Sequence, residues 1–166
     1  MLMIRRAQPQ DIPAMGAIYN YEVVHGTATF DLHEKPPADR EAWYAAHNRD
    51  NHPLLVAEED GRVTGYASLS PYRDKEAYAS TVELSVYVHP DCRRRGIARA
   101  LMAELLALAR ADARTHTVIA VITGGNEASI RLHEAFGFRH SGTLHAVGRK
   151  FGRYLDVENY ELSVGD

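Results

Sequence analysis

The segment TVELSVYV, Thr81 to Val88, alternates strictly: Val82, Leu84, Val86 and Val88 point one way, and Thr81, Glu83, Ser85 and Tyr87 the other. A period of two predicts a strand with one face on a core and the other turned to chemistry or solvent. Just upstream, LLVAEEDGRVTGYASLSPY carries two apolar runs around Glu59-Asp60-Gly61. Asp-Gly accepts the backbone of a tight hairpin turn, so Leu54 to Glu58 is expected to pair with Arg62 to Ser70. At the start of the chain, Leu2 to Arg6 reads as a short strand. A helix is expected from about Pro9, with Ile12, Met15, Ile18 and Tyr19 on one face.

The remaining elements follow from the same periodicities. A second helix is expected over Ala38 to Asn48, and HGTATFDLHEKPP before it reads as an ordered loop because it keeps Phe30 and Leu32. Beyond the alternating strand come a helix from about Gly96 to Ala113, a buried strand Thr117 to Ile122 and a helix from about Glu127 to Phe136. Strands near Arg139 to His145 and Tyr154 to Val164 close the chain. The order β-α-α-β-β-β-α-β-α-β-β predicts an α/β fold, a mixed central sheet flanked by helices. No internal repeat or linker interrupts it, so residues 1–166 are read as a single domain.

Composition narrows the function classes. A formal net charge of -3 argues against a general nucleic-acid or anionic-membrane binder, which needs a broad positive field. The N-terminal MLMIRRAQPQD is too short in apolar residues for a signal core, and a cytoplasmic location is expected. The single Cys92 cannot form an internal disulfide, and the nine histidines show no HExxH or paired Cys/His spacing, so no metal is implied.

Against that acidic background, HPDCRRRGIARALM concentrates positive charge at the mouth of a helix. The first amides of a helix lack intrahelical partners and the dipole adds positive character, so a strand-turn-helix junction favours phosphate. Gly96 and Ala98 leave those amides approachable, while Arg93, Arg94, Arg95 and Arg99 supply side-chain charge. A Walker loop or a dinucleotide fingerprint would need glycines and a lysine that are missing. Taken alone, this is equally an ordinary helix start with solvated arginines.

Context decides between them. Arg93-x-x-Gly96-x-Ala98 after VELSVYV resembles the acyl-CoA pyrophosphate loop of the GNAT-type N-acetyltransferases. NEASIRLHEAFGF, from Asn126 to Phe138, is similar to that family's second motif. IYN (18–20), TATFD (27–31), GYASLSPYRDKEAY (65–78) and VGRKFGRYLDV (147–157) resemble the phosphinothricin acetyltransferase subfamily. Tyr72-Arg73-Asp74-Lys75 stands where that subfamily commonly has Trp-Arg-x-Arg.

The resemblance implies acetyl transfer from acetyl-CoA to the α-amino group of a small amino-acid analogue such as phosphinothricin, methionine sulfoximine or methionine sulfone, by a homodimer. It implies acetyl-CoA contacts from Val86, Tyr87 and Val88, from Arg93 through Ile97 to Arg99, and from Asn126 and Ser129. Amines are largely protonated at neutral pH, so a base is needed. The resemblance puts it at Glu83, where burial would raise the pKa to a useful value. His133 falls near the leaving sulfur by the same resemblance, as proton donor, amine ligand or structural residue. A splayed and bulged strand near Tyr87 and Val88 would polarise the thioester carbonyl. Arg73, Lys75 and Tyr78 are expected to grip the acceptor's acidic groups, and Phe30 to wall its side chain. Asn126 also suits a helix N-cap. The rivals are another amine acceptor and a non-catalytic acyl-CoA-binding module of the same fold.

Overall fold

A computed structural model describes residues 1–166. Its elements are β1 (Leu2–Arg6), α1 (Ile12–His25), α2 (Pro37–Ala45), β2 (Leu54–Glu59), β3 (Arg62–Pro71), β4 (Thr81–Val88), α3 (Ile97–Ala111), β5 (Thr117–Thr123), α4 (Glu127–Ala135), β6 (Arg139–Lys150) and β7 (Arg153–Ser163). The element order is the one the periodicities predict, and the differences lie at the ends. Pro9–Asp11 forms a 3-10 turn ahead of α1, because the Asp11 carboxylate accepts the Gln8 N–H at 2.7 Å and two bonds from Arg5 at 2.8 and 3.0 Å. Helix α2 stops three residues short of Asn48. That residue adopts φ 54° and turns its side-chain oxygen to the Leu54 N–H, 2.8 Å away. Strand β6 runs past His145 to Lys150, where Phe151 and Gly152, at φ 53° and 74°, close a two-residue hairpin onto β7.

The strands form one sheet in the order β1-β2-β3-β4-β5-β7-β6, and β4–β5 is the one parallel pair. Helix α3 covers one face with Leu101, Met102, Leu105 and Leu106, all fully buried, against Val82, Leu84, Val118 and Ala120. Burying each such side chain is worth about 1.5–3 kcal/mol, so α3 and the turn at its start are firmly seated. Helices α1 and α2 cover the opposite face with Met15, Ile18, Tyr19, Trp43 and Tyr44 against Leu54, Val56 and Tyr66. Both faces of β4 are therefore packed near Val88. The expectation that one face is free holds at Glu83, while the Tyr87 ring lies in an aromatic cluster 5.4 Å from Tyr66 and 5.5 Å from Tyr19.

The parallel pairing of β4 with β5 runs only from Thr81–Thr117 to Leu84–Ala120. Beyond it β4 stays with β3 as far as Val88 opposite Gly65, and β5 stays with β7 as far as Thr123 opposite Val157. The strands splay because each follows its other neighbour. The expected bulge near Tyr87 and Val88 is not formed: the register of β4 on β3 runs from Val82–Pro71 to Val88–Gly65 without a shift.

Candidate active site

The splay opens a small cleft of about 80 Å³ between Leu84–Tyr87 and Ala120–Thr123, floored by Ser129 and His133. It runs into a larger groove of about 730 Å³ lined by Val86, Tyr87, Val88, Gly96, Ile97, Ala98 and Arg99 on one side and by Asn126 and Ser129 on the other. The loop between α1 and α2 borders this groove and is tethered at several points. Thr123 donates to the Thr27 carbonyl at 2.6 Å, the buried Lys150 amine donates to the Thr29 carbonyl at 3.0 Å, and Tyr19 bonds Thr29 and Asp31.

The turn from His89 to Gly96 explains the arginine run. Its buried Cys92 anchors it to the core, and Arg94 and Gly96 take positive φ, 62° and 77°, to swing the chain into α3. Gly96 accepts the Ala100 N–H as N-cap but offers no side chain, so the amides that open the helix have no cap. Helix α3 comes close to the sheet because Gly65 has no Cβ: one would lie 3.0 Å from the Tyr87 carbonyl and 3.1 Å from Ile97. The four arginines divide. Arg93 lines the groove but pairs with Glu22, and Arg95 turns away to bond both carboxylate oxygens of Glu59 at 3.1 and 2.8 Å. Arg94 makes no ion pair, and Arg99 lies 5.8 Å from the Phe136 ring. Bare amides, two available guanidiniums and a long groove suit a diphosphate with an extended arm. The Arg95 side chain, expected at the diphosphate, is held instead by Glu59 and does not line the groove.

Asn126 is the N-cap of α4, its side chain accepting the Ser129 N–H at 3.3 Å. His133, two turns on from that cap, is 3% exposed and faces the cleft. Its Nδ1 lies 2.7 Å from the Ser129 carbonyl, which can only accept, so the proton is on Nδ1 and Nε2 is an acceptor. Burial pushes its pKa down. A neutral imidazole with its one proton committed does not donate to a departing thiolate.

Glu83 stands half-buried on β4 and accepts no hydrogen bond from the protein. Burial pushes its pKa up, and the nearby Arg73 pulls it partly back. Arg73 is exposed, lying 4.9 Å from the Tyr72 ring, whose edge contacts Tyr78 at 5.5 Å. Lys75 is exposed without an ion pair. Phe30 lies against Gly148 of β6, three strands from β4. The structure thus brings Arg73 near enough to Glu83 to act on its charge, and sets Phe30 apart from both, against β6. Sequence reasoning missed Glu22, Lys150, Ser70 and His47, since a buried lysine or a histidine bonded across 23 residues leaves no local signal.

A sheet split between two parallel strands, with an uncapped helix start beside the split, defines a class of enzyme that moves acyl groups from coenzyme A to amines. Residues 18–138 match the acetyltransferase (GNAT) family, and the chain belongs to it: it is an N-acetyltransferase with acetyl-CoA as donor. It is 44% identical to a phosphinothricin N-acetyltransferase of Streptomyces coelicolor, over 96% of this chain and 95% of that one. It is 39% identical to an L-methionine sulfoximine/L-methionine sulfone acetyltransferase of Salmonella typhimurium, over 99% and 96%. The crystal structure of a phosphinothricin acetyltransferase from Sinorhizobium meliloti in complex with acetyl-CoA superposes with a TM-score of 0.95 at 34% identity, covering 99% of this chain and 89% of that one.

Proposed function

We propose that this enzyme acetylates the α-amino group of a small amino-acid analogue of the phosphinothricin, methionine sulfoximine or methionine sulfone type, with Glu83 as the base. The observation that carries this reading is Glu83 itself: a half-buried carboxylate with a raised pKa, unpartnered by the protein, near Arg73 and one residue before the last β4–β5 pair. Acetyl-CoA supplies the activated acetyl group. The amides that open α3 hold its diphosphate with Arg94 and Arg99, and Val86 to Val88 with Asn126 and Ser129 line the path of its arm. Arg73 and Tyr78 take the acceptor's anionic groups, Phe30 bounds its side chain, and Lys75 adds charge at the rim. Glu83 removes a proton from the ammonium, directly or through water, and frees the nitrogen lone pair. His133 remains neutral and orders the cleft wall.

The relatives named for these acceptors support the substrate class. We further read residues 1–166 as one catalytic domain acting in the cytoplasm as a homodimer. The exposed Leu144, Val147, Phe151 and Tyr154, all on the β6–β7 hairpin, support the dimer. The deciding experiment is thiol release from acetyl-CoA against phosphinothricin, methionine sulfoximine, methionine sulfone, common amino acids and polyamines. One of the three analogues should be preferred, and Glu83→Gln should slow its turnover by about 10²–10⁴-fold. Preference for a polyamine, or parental turnover by Glu83→Gln, overturns the reading.

A further inference from the structure

The sheet face that carries Glu83 holds a second polar pair, built from residues distant in sequence. Ser70 of β3 is the direct partner of Glu83 on β4. Opposed residues of an antiparallel pair stand on the same face with Cβ atoms about 5 Å apart. Ser70 is half-buried, as Glu83 is. Against it lies His47, in the segment that follows α2, 8% exposed and packed 4.5 Å from the Trp43 ring.

Both nitrogens of His47 are engaged, Nδ1 at 2.7 Å from the Trp43 carbonyl oxygen and Nε2 at 2.7 Å from Ser70 Oγ. A carbonyl only accepts, so the ring proton sits on Nδ1. Nε2 is then the acceptor, and the Ser70 hydroxyl donates to it. Burial pushes the His47 pKa down, outweighing the Trp43 carbonyl that pulls it up, and the Arg40 guanidinium acts with burial, so the imidazole stays neutral and this arrangement is the stable one.

The consequence falls on the serine. Its one proton is committed to His47, so toward Glu83 it can present only lone pairs. A serine free to rotate would donate to the neighbouring carboxylate and weaken it as a base. Here the carboxylate keeps its lone pairs, and two acceptors stand side by side with no protein donor between them. Two adjacent acceptors make a receptor for a group with several N–H bonds, which an ammonium supplies.

We propose that Ser70, oriented by His47, binds the α-ammonium of the acceptor beside Glu83 and sets the direction in which it loses its proton. This rests on the acceptor class and the role of Glu83 stated above. One N–H of the ammonium bonds Ser70 Oγ, and a second bonds the Glu83 carboxylate. The second proton passes to Glu83, giving a neutral carboxyl and a neutral amine whose lone pair is free. The Ser70 bond persists on the amine and fixes its rotation. Ser70 is thus a substrate-binding residue, and His47, which touches no substrate, is a positioning residue.

The test uses the full chain with L-methionine sulfoximine as the acceptor probe. Ser70→Ala should raise the KM for the probe about tenfold, the value of one hydrogen bond to a charged group, with acetyl-CoA affinity unmoved and the thermal midpoint lowered by only a few degrees, because the buried His47 Nε2 loses its donor. Ser70→Thr, which keeps the hydroxyl, should restore the parental KM. His47→Leu should act like Ser70→Ala, because the released hydroxyl turns to Glu83. His47→Gln can donate to Trp43 and accept from Ser70, and should recover most of the effect. Parental KM in Ser70→Ala overturns the proposal, as does a loss that Ser70→Thr fails to rescue. If a His47 variant does not fold, the two Ser70 variants decide the matter alone. Glu83→Gln keeps the two readings apart: full turnover there refutes the base assignment, whereas an inactive Glu83→Gln beside a Ser70→Ala of parental KM refutes the serine's role only.

Discussion

Gly65→Ala tests whether the seating of α3 on the sheet sets the acetyl-CoA site. The added Cβ would lie 3.0 Å from the Tyr87 carbonyl oxygen, 3.1 Å from Ile97 Cγ2 and 3.3 Å from Leu101 Cδ1. Carbon contacts are comfortable at about 3.5–4.0 Å, so all three are too close. Tyr87 cannot yield, because its backbone is paired with β3 itself, and Ile97 and Leu101 are 2% and 0% exposed with no room to move aside. The first turn of α3 must lift. Overpacking of this kind costs about 1–3 kcal/mol, and removing a glycine from the unfolded chain returns about 0.4–1 kcal/mol, leaving roughly 1–2 kcal/mol. In a domain of this size that lowers the midpoint by roughly 2–8 °C. The lifted turn also carries the amides of Ile97, Ala98 and Arg99, so acetyl-CoA affinity should fall severalfold in calorimetric titration of folded protein. Leu105→Ala, farther along the same helix and fully buried, is the control. It should cost about 2–5 kcal/mol and leave that affinity unchanged. A Gly65→Ala enzyme that melts later than the control but binds acetyl-CoA as the parent does would refute the link between helix seating and the anion site.

Three further outcomes are expected. Because burial raises the Glu83 pKa in the folded state, folding favours its protonated form: its contribution to stability is full below the ordinary glutamate value and lost as pH rises through the folded value. Glu83→Gln should therefore melt above the parent at neutral pH and lose that advantage in acid, and kcat/KM of the parent should fall as pH drops through the same raised value. Arg94→Ala should weaken acetyl-CoA binding and reduce its salt dependence more than Arg95→Ala does, since Arg95 is already spent on Glu59. Phe151→Lys, at an exposed turn of the β6–β7 hairpin, should shift the sedimentation of the proposed dimer toward monomer; an unmoved dimer would place the interface elsewhere.

The fold was largely legible because its signals are local. Alternation in TVELSVYV, Asp-Gly between two apolar runs and the apolar stripe of residues 97–109 each fix an element within its own length. Element ends were less so: the stop of α2 depends on Asn48 reaching the Leu54 amide, and the extension of β6 to Lys150 on its pairing with β7. The arginine run shows the same limit within the site. Its charge and its glycine pointed to a phosphate turn, but which guanidiniums remain free is decided by Glu22 and Glu59, 71 and 36 residues away.

By itself, then, the amino-acid sequence determined the order of strands and helices, the turn with bare amides after β4 and the carboxylate on that strand's polar face. These are properties of short segments, governed by side-chain period and backbone freedom. Only the tertiary structure decided that β4 parts from β5 after Leu84, that His133 is buried with its proton turned inward and that Ser70 meets His47 beside Glu83. Each of those depends on a partner brought near by the packing of separate elements, and the direction of a hydrogen bond is fixed only when both of its ends are in place.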